Sequence, residues 1–479
     1  MNQLNNRTCL GGLFLSGLAC VFGCKVGPNY KPPEMEMPKE WLYSSADHFT
    51  TVPEANNVGW WKIFNEEDLN GLIQQAIVNN NSVMTAFYQI EASRAARDAT
   101  IGQYYPSITF AGSRTRLLPS GTSQVPISVK PFDLYSSSLD FLWEIDLFGK
   151  IRRSVESSQA SYQASIEDYR DIMVTLLANV CNNYIELRTA QERIKYAESN
   201  VEIQRKTLEL TKSLYKAELV SELDVRQAEF NLANTESQIP LLRITEEAAY
   251  NSLAVLVGKM PGTLRDELSA NKPLSAVKEN INISLPANLI RQRPDIRRAE
   301  RQLAAQTASI GVAEADLFPA LQLSGLFQTQ SLKFSGLGNV TDNKSYSYGP
   351  GISWNIFNAG ITRNNIKIQK AVTAELLSEW QSTVLTAVED VQNAMYSYIE
   401  QQGRQKSLEE AVTALQHSVK LVQNLYDSGL TDFQNVLSTE QSLFVQQDNF
   451  AVSKGLLLQD IVLIYQAFGS GWQDIKVQE

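Results

Sequence analysis

SYSYGPGISWNIF, residues 345–357, alternates almost without fault. Tyr346, Tyr348, Ile352, Trp354 and Ile356 fall on one side; Ser345, Ser347, Gly349, Ser353 and Asn355 fall on the other. A period of two places these sets on opposite faces of a β-strand. A second stretch, Leu134 to Ile145, reads the same way, with Tyr135, Leu139, Phe141, Trp143 and Ile145 opposite Ser136, Ser138, Asp140 and Glu144. Each has a shorter alternating partner upstream, Ser107–Arg114 and Leu321–Gln328, across a polar loop. Strands of about 9–11 residues can cross a bilayer when tilted, and aromatic residues crowding the apolar face suit lipid on one side and water on the other. A half-buried soluble sheet would alternate too.

Outward from each strand pair the period changes. Residues 150–258 and 361–468 step by 3, 4 or 7 through apolar positions, the helical and coiled-coil spacing. In the first region Pro occurs only at Pro240 and Gly not before Gly258. An unbroken helix over 150–213 would reach ~96 Å. The pattern weakens near Lys216–Ser221, the expected turn between two antiparallel helices. Helical periodicity also starts at Trp60, resumes over Ser82–Tyr104, and covers Pro286–Leu317.

The order helix, strand, strand, long helical hairpin therefore occurs twice. Leu214, Tyr215, Leu219, Val225 and Glu229 recur as Leu425, Tyr426, Leu430, Val436 and Glu440. Four strands cannot close a barrel, and open edges are not tolerated in lipid. Two copies would supply eight strands and three would supply twelve; a tunnel wide enough for solutes favours three.

Composition alone reads differently. The 479 residues carry 42 Lys+Arg against 52 Asp+Glu, a net charge of −10, which argues against nucleic-acid binding. Mean hydropathy is negative, and beyond the N-terminus no run supplies the ~20 apolar residues of a spanning helix. The N-terminus itself resembles an export signal over residues 1–23, ending Val21-Phe22-Gly23-Cys24. This resembles a bacterial lipobox, which would make Cys24 the acylated first residue. Phe22 is bulky for that motif, Cys20 is a rival with a poorer match, and an ordinary cleaved signal is the alternative. With Cys9 and Cys20 removed, Cys181 is the remaining thiol, expected to be a packing residue.

Catalytic chemistry is thin. His48 and His417 are the two histidines, too few for a metal cluster or a triad, and no phosphate-binding Gly-Lys loop occurs. No enzyme activity and no cofactor are expected. Arg291, Arg293, Arg297 and Arg298 surround Asp295; they could bind an anion, or make ion pairs where Pro294 and Asp295 start a helix.

Seven motifs in order carry a resemblance across the mature chain: CKVGPNYKPP (24–33), WWKIFN (60–65), WEIDLFGKIRR (143–153), RPDIRRAE (293–300), IGVAEADLFP (310–319), YGPGISWNIFNAG (348–360) and FGSGW (468–472). The sequence resembles the TolC-like outer-membrane factors of the NodT-type lipoprotein branch. That resemblance implies an α+β fold with four membrane β-strands and long antiparallel helical hairpins per chain, duplicated. It implies a homotrimer with a 12-stranded β-barrel and a periplasmic α-barrel. It implies partners, namely a periplasmic adaptor (membrane fusion) protein, a proton-driven inner-membrane efflux pump and outer-membrane lipid, and a small-molecule exit duct as function. The pump would supply the energy.

The implied domain scheme is signal 1–23, lipid-anchored tether 24–59, equatorial and first barrel helices 60–105, first β-hairpin 106–146 and long helical hairpin 147–260. The second repeat follows as 261–318, β-hairpin 319–358, hairpin 359–468 and equatorial tail 469–479. The resemblance also places a periplasmic gate at the tip turns Tyr215–Asp224 and Tyr426–Ser438, with Asp224 and Tyr426 part of its lock. Thr431 stands where a relative has Arg. Asn435 and Ser438 replace common carboxylates, and Asp432 remains. Each of these is equally readable as a solvated helix-turn residue. A type I secretion duct is an alternative within the same architecture; a periplasmic adaptor or structural coiled-coil lipoprotein is an alternative outside it.

Overall fold

The computed structural model describes residues 25–44, 49–52, 58–118, 130–270, 272, 277 and 281–473. The signal, Cys24 and His48 lie outside the described residues. In chain order the elements are β1 (Phe49–Val52), a 3-10 turn (Trp60–Phe64), α1 (Glu67–Asn79), α2 (Asn81–Gly102), β2 (Ser107–Leu117), β3 (Phe132–Ile145), α3 (Lys150–Lys216), α4 (Glu222–Leu256) and α5 (Arg265–Leu268). There follow β4 (Ile281–Ser284), α6 (Pro286–Gln292), α7 (Pro294–Ala315), β5 (Ala320–Ser331), a 3-10 turn (Phe334–Gly338), α8 (Val340–Asn343), β6 (Lys344–Ser353), α9 (Ile361–Asp427) and α10 (Phe433–Ala467). Two compact units form. One draws on residues up to Glu34, Ile90–Ser165 and Ala299–Trp380; the other on Met35–Gln89, Ile166–Arg298 and Gln381–Glu479.

The first unit holds an antiparallel sheet in the order β2-β3-β5-β6. Its register keeps the alternation in phase across all four strands: Phe110 faces Leu139, Leu139 faces Phe327, and Phe327 faces Tyr346. The opposite face aligns Ser113 with Ser136 and Ser138 with Gln328. β6 stops at Ser353, four residues before the alternation ends. Its partner β5 begins at Ala320, directly after Pro319, which has no N–H to extend the ladder.

The second unit buries α1 through Leu69, Leu72, Ile73 and Ala76, and α3 through Met173, Leu177, Val180, Cys181 and Tyr184. Trp60 stacks on Tyr465 with ring centres 5.0 Å apart. Cys181 is fully buried, and burial pushes its thiol pKa up, so it acts as a packing residue. The apolar stretch within α10 is long enough for a membrane span by composition, but 56% of it is packed inside the fold.

Three expectations need correction. The segment 24–59 is not a bare tether: β1 pairs in parallel with β4, and Trp41 is buried, its indole Nε1 donating to the Ser284 carbonyl at 2.7 Å. The helix expected from Trp60 begins as a 3-10 turn, which Asn65, left-handed at φ 53°, ends before α1 starts at Glu67. The helix expected over 286–317 is two helices. Pro294 lacks an N–H and forces Arg293 into extended geometry (φ −74°, ψ 121°).

The duplication is metrically regular. α3 and α9 each have 67 residues, and α4 and α10 each have 35. Every boundary in the second hairpin stands 211 positions after its counterpart, 361 against 150 and 467 against 256. At 1.5 Å per residue the longer helices extend about 100 Å. The turns repeat too. Leu219 N donates to Leu214 O at 3.0 Å and Leu430 N to Leu425 O at 2.8 Å, the same helix-ending bond in each hairpin. That turn needs a left-handed residue. The second repeat supplies Gly429 (φ 69°), the first Glu218 (φ 60°). A left-handed non-Gly residue costs roughly 1–2 kcal/mol. Glu218→Gly should therefore slow amide exchange at Leu219 severalfold, and Gly429→Glu should speed it at Leu430; the reverse pattern would refute the assignment of strain.

Candidate functional site

The sheet presents a wall with two characters. Ile108, Phe110, Tyr346, Tyr348 and Ile352 are exposed on one face, Tyr348 at 83%. Such aromatic exposure is costly in water and suited to a lipid boundary. On the other face Ser113 and Ser136 share a 2.7 Å hydrogen bond, and Ser138 Oγ donates to Asp140 at 2.9 Å. Two tryptophans fix the ends of the sheet. Trp143 Nε1 donates to the Tyr104 carbonyl at 2.9 Å, and Trp354 Nε1 to the Leu317 carbonyl at 3.0 Å. They are repeat counterparts, each tying a strand to the turn that follows a 22-residue helix.

Near the sheet, the motif residues 25–29 are held by one buried arginine. Arg153 Nε donates to Val26 O at 2.9 Å, and Nη2 to Gly27 O at 2.7 Å and Asn29 Oδ1 at 3.0 Å. Nη1 reaches Glu156 at 2.8 Å, and Glu156 also pairs with Lys25. The guanidinium fits because Gly311 has no side chain; a Cβ there would lie 2.7 Å from Arg153 Nε. Gly27, at φ 85°, sits directly on the Gly311 backbone. The CKVGPNYKPP, WEIDLFGKIRR and IGVAEADLFP motifs are thus one contact.

The arginine cluster forms ion pairs rather than an open anion site. Arg293 bonds Asp295 at 2.7 Å, Asp390 at 3.1 Å and the Ala467 carbonyl at 2.9 Å. Arg297 reaches Glu167 at 2.6 Å, and Arg298 pairs with Asp168 and Asp171. Arg297 and Arg170 lie over the Trp472 ring, 5.4 and 4.4 Å from its centre. Arg291 is exposed and takes no part in these pairs.

The tip residues have the following surroundings. Asp224 closes a capping box: its carboxylate accepts from Ser221 N and Oγ, both at 3.0 Å, and its own N–H donates to Ser221 Oγ at 3.4 Å. Tyr426 is buried among Leu208, Val225, Ala228, Phe433 and Val436. Burial raises its phenol pKa; a Thr211 contact opposes this and the Asp224 charge adds to it. Asn435 Nδ2 donates to Thr431 Oγ1 at 3.0 Å, Ser438 Oγ to the Asn435 carbonyl at 3.2 Å, and Asp432 is the N-cap residue of α10. Asp432, Asn435 and Ser438 are exposed.

One feature had no separate signal in the sequence. The seam between α3 and α10 is polar: Arg193 bonds Asp448 through two nitrogens (2.7 and 3.1 Å), Asn200 donates to Gln447 at 2.7 Å, and Thr207 to Glu440 at 2.7 Å. Asn200, Gln204, Thr207 and Thr211 are all buried at coiled-coil spacing. Polar side chains at this spacing carry no mark of their own in the sequence that they are buried. Among the described residues no group of His, Cys, Asp and Glu is arranged to hold a metal ion.

The outer membrane efflux protein profile matches residues 72–259 and 285–470, one match on each repeat. The chain belongs to the outer membrane efflux protein family. Among curated relatives, Nodulation protein T of Rhizobium leguminosarum bv. trifolii is 30% identical over 456 residues, covering 95% of this chain and 96% of the relative. The toluene efflux pump outer membrane protein TtgI of Pseudomonas putida is 30% identical over 475 residues, covering 95% and 97%. Among solved structures, the outer-membrane channel OprN superposes with a TM-score of 0.86 at 34% identity, covering 94% of this chain and all of that one. The Campylobacter jejuni CmeC outer membrane channel gives 0.87 at 22% identity, covering 95% and 96%, a likeness of fold. The α+β channel fold of this family is therefore the fold of this chain, and the outer membrane is its location.

Gly311→Val should displace Arg153 and release residues 25–34 to proteolysis, at a cost of about 1–3 kcal/mol for overpacking. Intact protection of that segment would show that the close contact carries no weight. Asp224→Ala should cost about 1 kcal/mol in local stability of the α4 N-terminus, read as faster amide exchange over residues 221–226.

Proposed function

We propose that three copies of this chain form the exit duct of a tripartite efflux system, a 12-stranded barrel continued by a periplasmic α-barrel. The observation that carries this reading is the four-stranded sheet. Its two outer strands, β2 and β6, have no second partner among the described residues, and three copies satisfy them. In the chain each long helix begins soon after a strand pair, α3 at Lys150 after β3 and α9 at Ile361 after β6. A periplasmic adaptor and an inner-membrane, proton-driven pump complete the system. Relatives carry the names solvent efflux, toluene efflux, pyoverdine export and cation efflux, which supports small molecules as cargo.

Cys24 is the proposed lipidation site and Asp224, Tyr426, Thr431, Asp432, Asn435 and Ser438 the proposed gate. In this reading the adaptor draws the second hairpin from its neighbours and breaks the polar tip contacts. The nearness of the Asp224 charge to the Tyr426 phenol supports the pairing. A polypeptide-secreting duct would share the architecture, and adaptor pull-down separates the two. An adaptor or structural lipoprotein would need no lipid-facing sheet.

Purified protein in detergent should run as an oligomer that heating converts to monomer, and should conduct ions in planar bilayers. A monomer released by salt would refute the duct. Closed-state conductance should rise in the Asp224→Ala, Tyr426→Phe double variant; an unchanged leak would remove these two residues from the gate. Cys24→Ala should abolish palmitate labelling.

A further inference from the structure

Glu440, on α10, is buried, with 1% of its surface exposed. Thr207 Oγ1 on α3 donates to its Oε1 at 2.7 Å, and Gln423 Nε2 on α9 donates to the same oxygen at 3.1 Å. Its Oε2 is buried without a hydrogen-bond partner among the described residues. Both atoms of the Gln204 amide, one turn earlier on α3, are in the same condition. An ionised carboxylate placed so is costly unless a cation compensates it.

The first repeat shows what compensation looks like. The counterpart of Glu440 is Glu229, half-buried, paired with Lys212 and with Arg226, each at 3.0 Å. Those two bonds, Lys212 first, hold the Glu229 pKa below the ordinary range. Stepping 211 positions on, Lys212 becomes Gln423 and Arg226 becomes Leu437. The second repeat keeps the carboxylate and loses both cations. The neighbouring ionisable groups on the packed elements are exposed: Arg205, Lys206, Glu209 and Lys212 on α3, Glu236 on α4, and His417, Lys420 and Asp427 on α9. Asp432 on α10 is exposed, and Asp448 is bound to Arg193. Tyr426 on α9 is buried and neutral. No Lys, Arg or His among the described residues pairs with Glu440.

We propose that Glu440 is a proton-operated latch: its neutral form lets the α9–α10 hairpin pack on α3, and its ionisation loosens that hairpin. Burial raises the Glu440 pKa, and the bonds from Thr207 and Gln423 oppose the rise. For a carboxyl raised by packing, the stabilisation is complete below the ordinary glutamate value of about 4.3 and is lost as pH rises through the raised one. The seam therefore holds in acid and loosens as pH rises through the raised value. The consequence for conduction rests on the duct reading above; the latch itself does not.

The test is amide hydrogen exchange on the purified full chain in detergent, corrected for intrinsic pH dependence, from pH 4 to 8. In the wild type, protection over residues 418–447 should fall about tenfold or more across that range. E440Q should remove the step and stay protected. Q423K restores the first-repeat pairing and should remove it as well, which keeps the proposal decidable if E440Q fails to assemble. E229Q should keep the wild-type step. A step that persists in E440Q or in Q423K, or no step in the wild type, overturns the latch. Bilayer conductance measured alongside should rise with pH in the wild type and not in E440Q; an exchange step without a conductance step would overturn the role in gating. A chain that never conducts fails the duct reading, and the exchange result still decides the latch.

Discussion

Unpaired backbone at the edges of the four-stranded sheet is the constraint from which the rest follows. Among the described residues β2 pairs only with β3, and β6 only with β5. In water such edges invite aggregation; in hydrocarbon each unmet N–H or C=O costs several kcal/mol. A short β-strand hairpin pair with an aromatic outer face and a polar inner face is stable in a membrane only as part of a closed ring. The Trp143 and Trp354 indoles pin strand ends to the preceding turns. Gly149 and Gly360, at φ 83° and 84°, precede the helices that follow each strand pair.

Much of this was legible in the sequence because the two governing periods are so different. A period of two over Ser345–Ser353 and a period near 3.5 over 150–216 survive any tertiary context, since each fixes which side chains share a face. The repeat was legible from a few identities because the hairpins have kept equal lengths. The β1–β4 pair was not legible. Four residues in a Pro- and Asn-rich stretch carry too little pattern, and their partner lies more than 200 positions away. The break at Arg293 was written in Pro294 and was passed over because the apolar spacing continues through it. The Arg153 contact could not be read at all, since it joins three motifs through distances that only the fold sets.

The polar seam shows where pattern and chemistry part. Asn200, Gln204, Thr207 and Thr211 occupy positions that ordinarily take Leu or Ile in a two-helix contact. A seam of that kind gives up apolar burial, worth about 25 cal/mol per Å2, and keeps instead hydrogen bonds of modest net value. The result is a contact with a weaker hold than a leucine seam of equal length, its register set by the pairs Arg193–Asp448, Asn200–Gln447 and Thr207–Glu440.

The two repeats began with the same parts, so their differences mark what each came to do. Arg153 faces the N-terminal segment; its counterpart 211 positions on is Asn364, where no such segment needs holding. Glu218 tolerates a left-handed turn that Gly429 adopts freely. Glu229 sits between two cations, and Glu440 between two neutral donors. In each pair the backbone is shared and the electrostatics are not. The first hairpin is therefore the more firmly charge-paired at its tip and the second the more responsive. A change in protonation acts on the second hairpin because that is where a carboxyl is buried with no cation beside it.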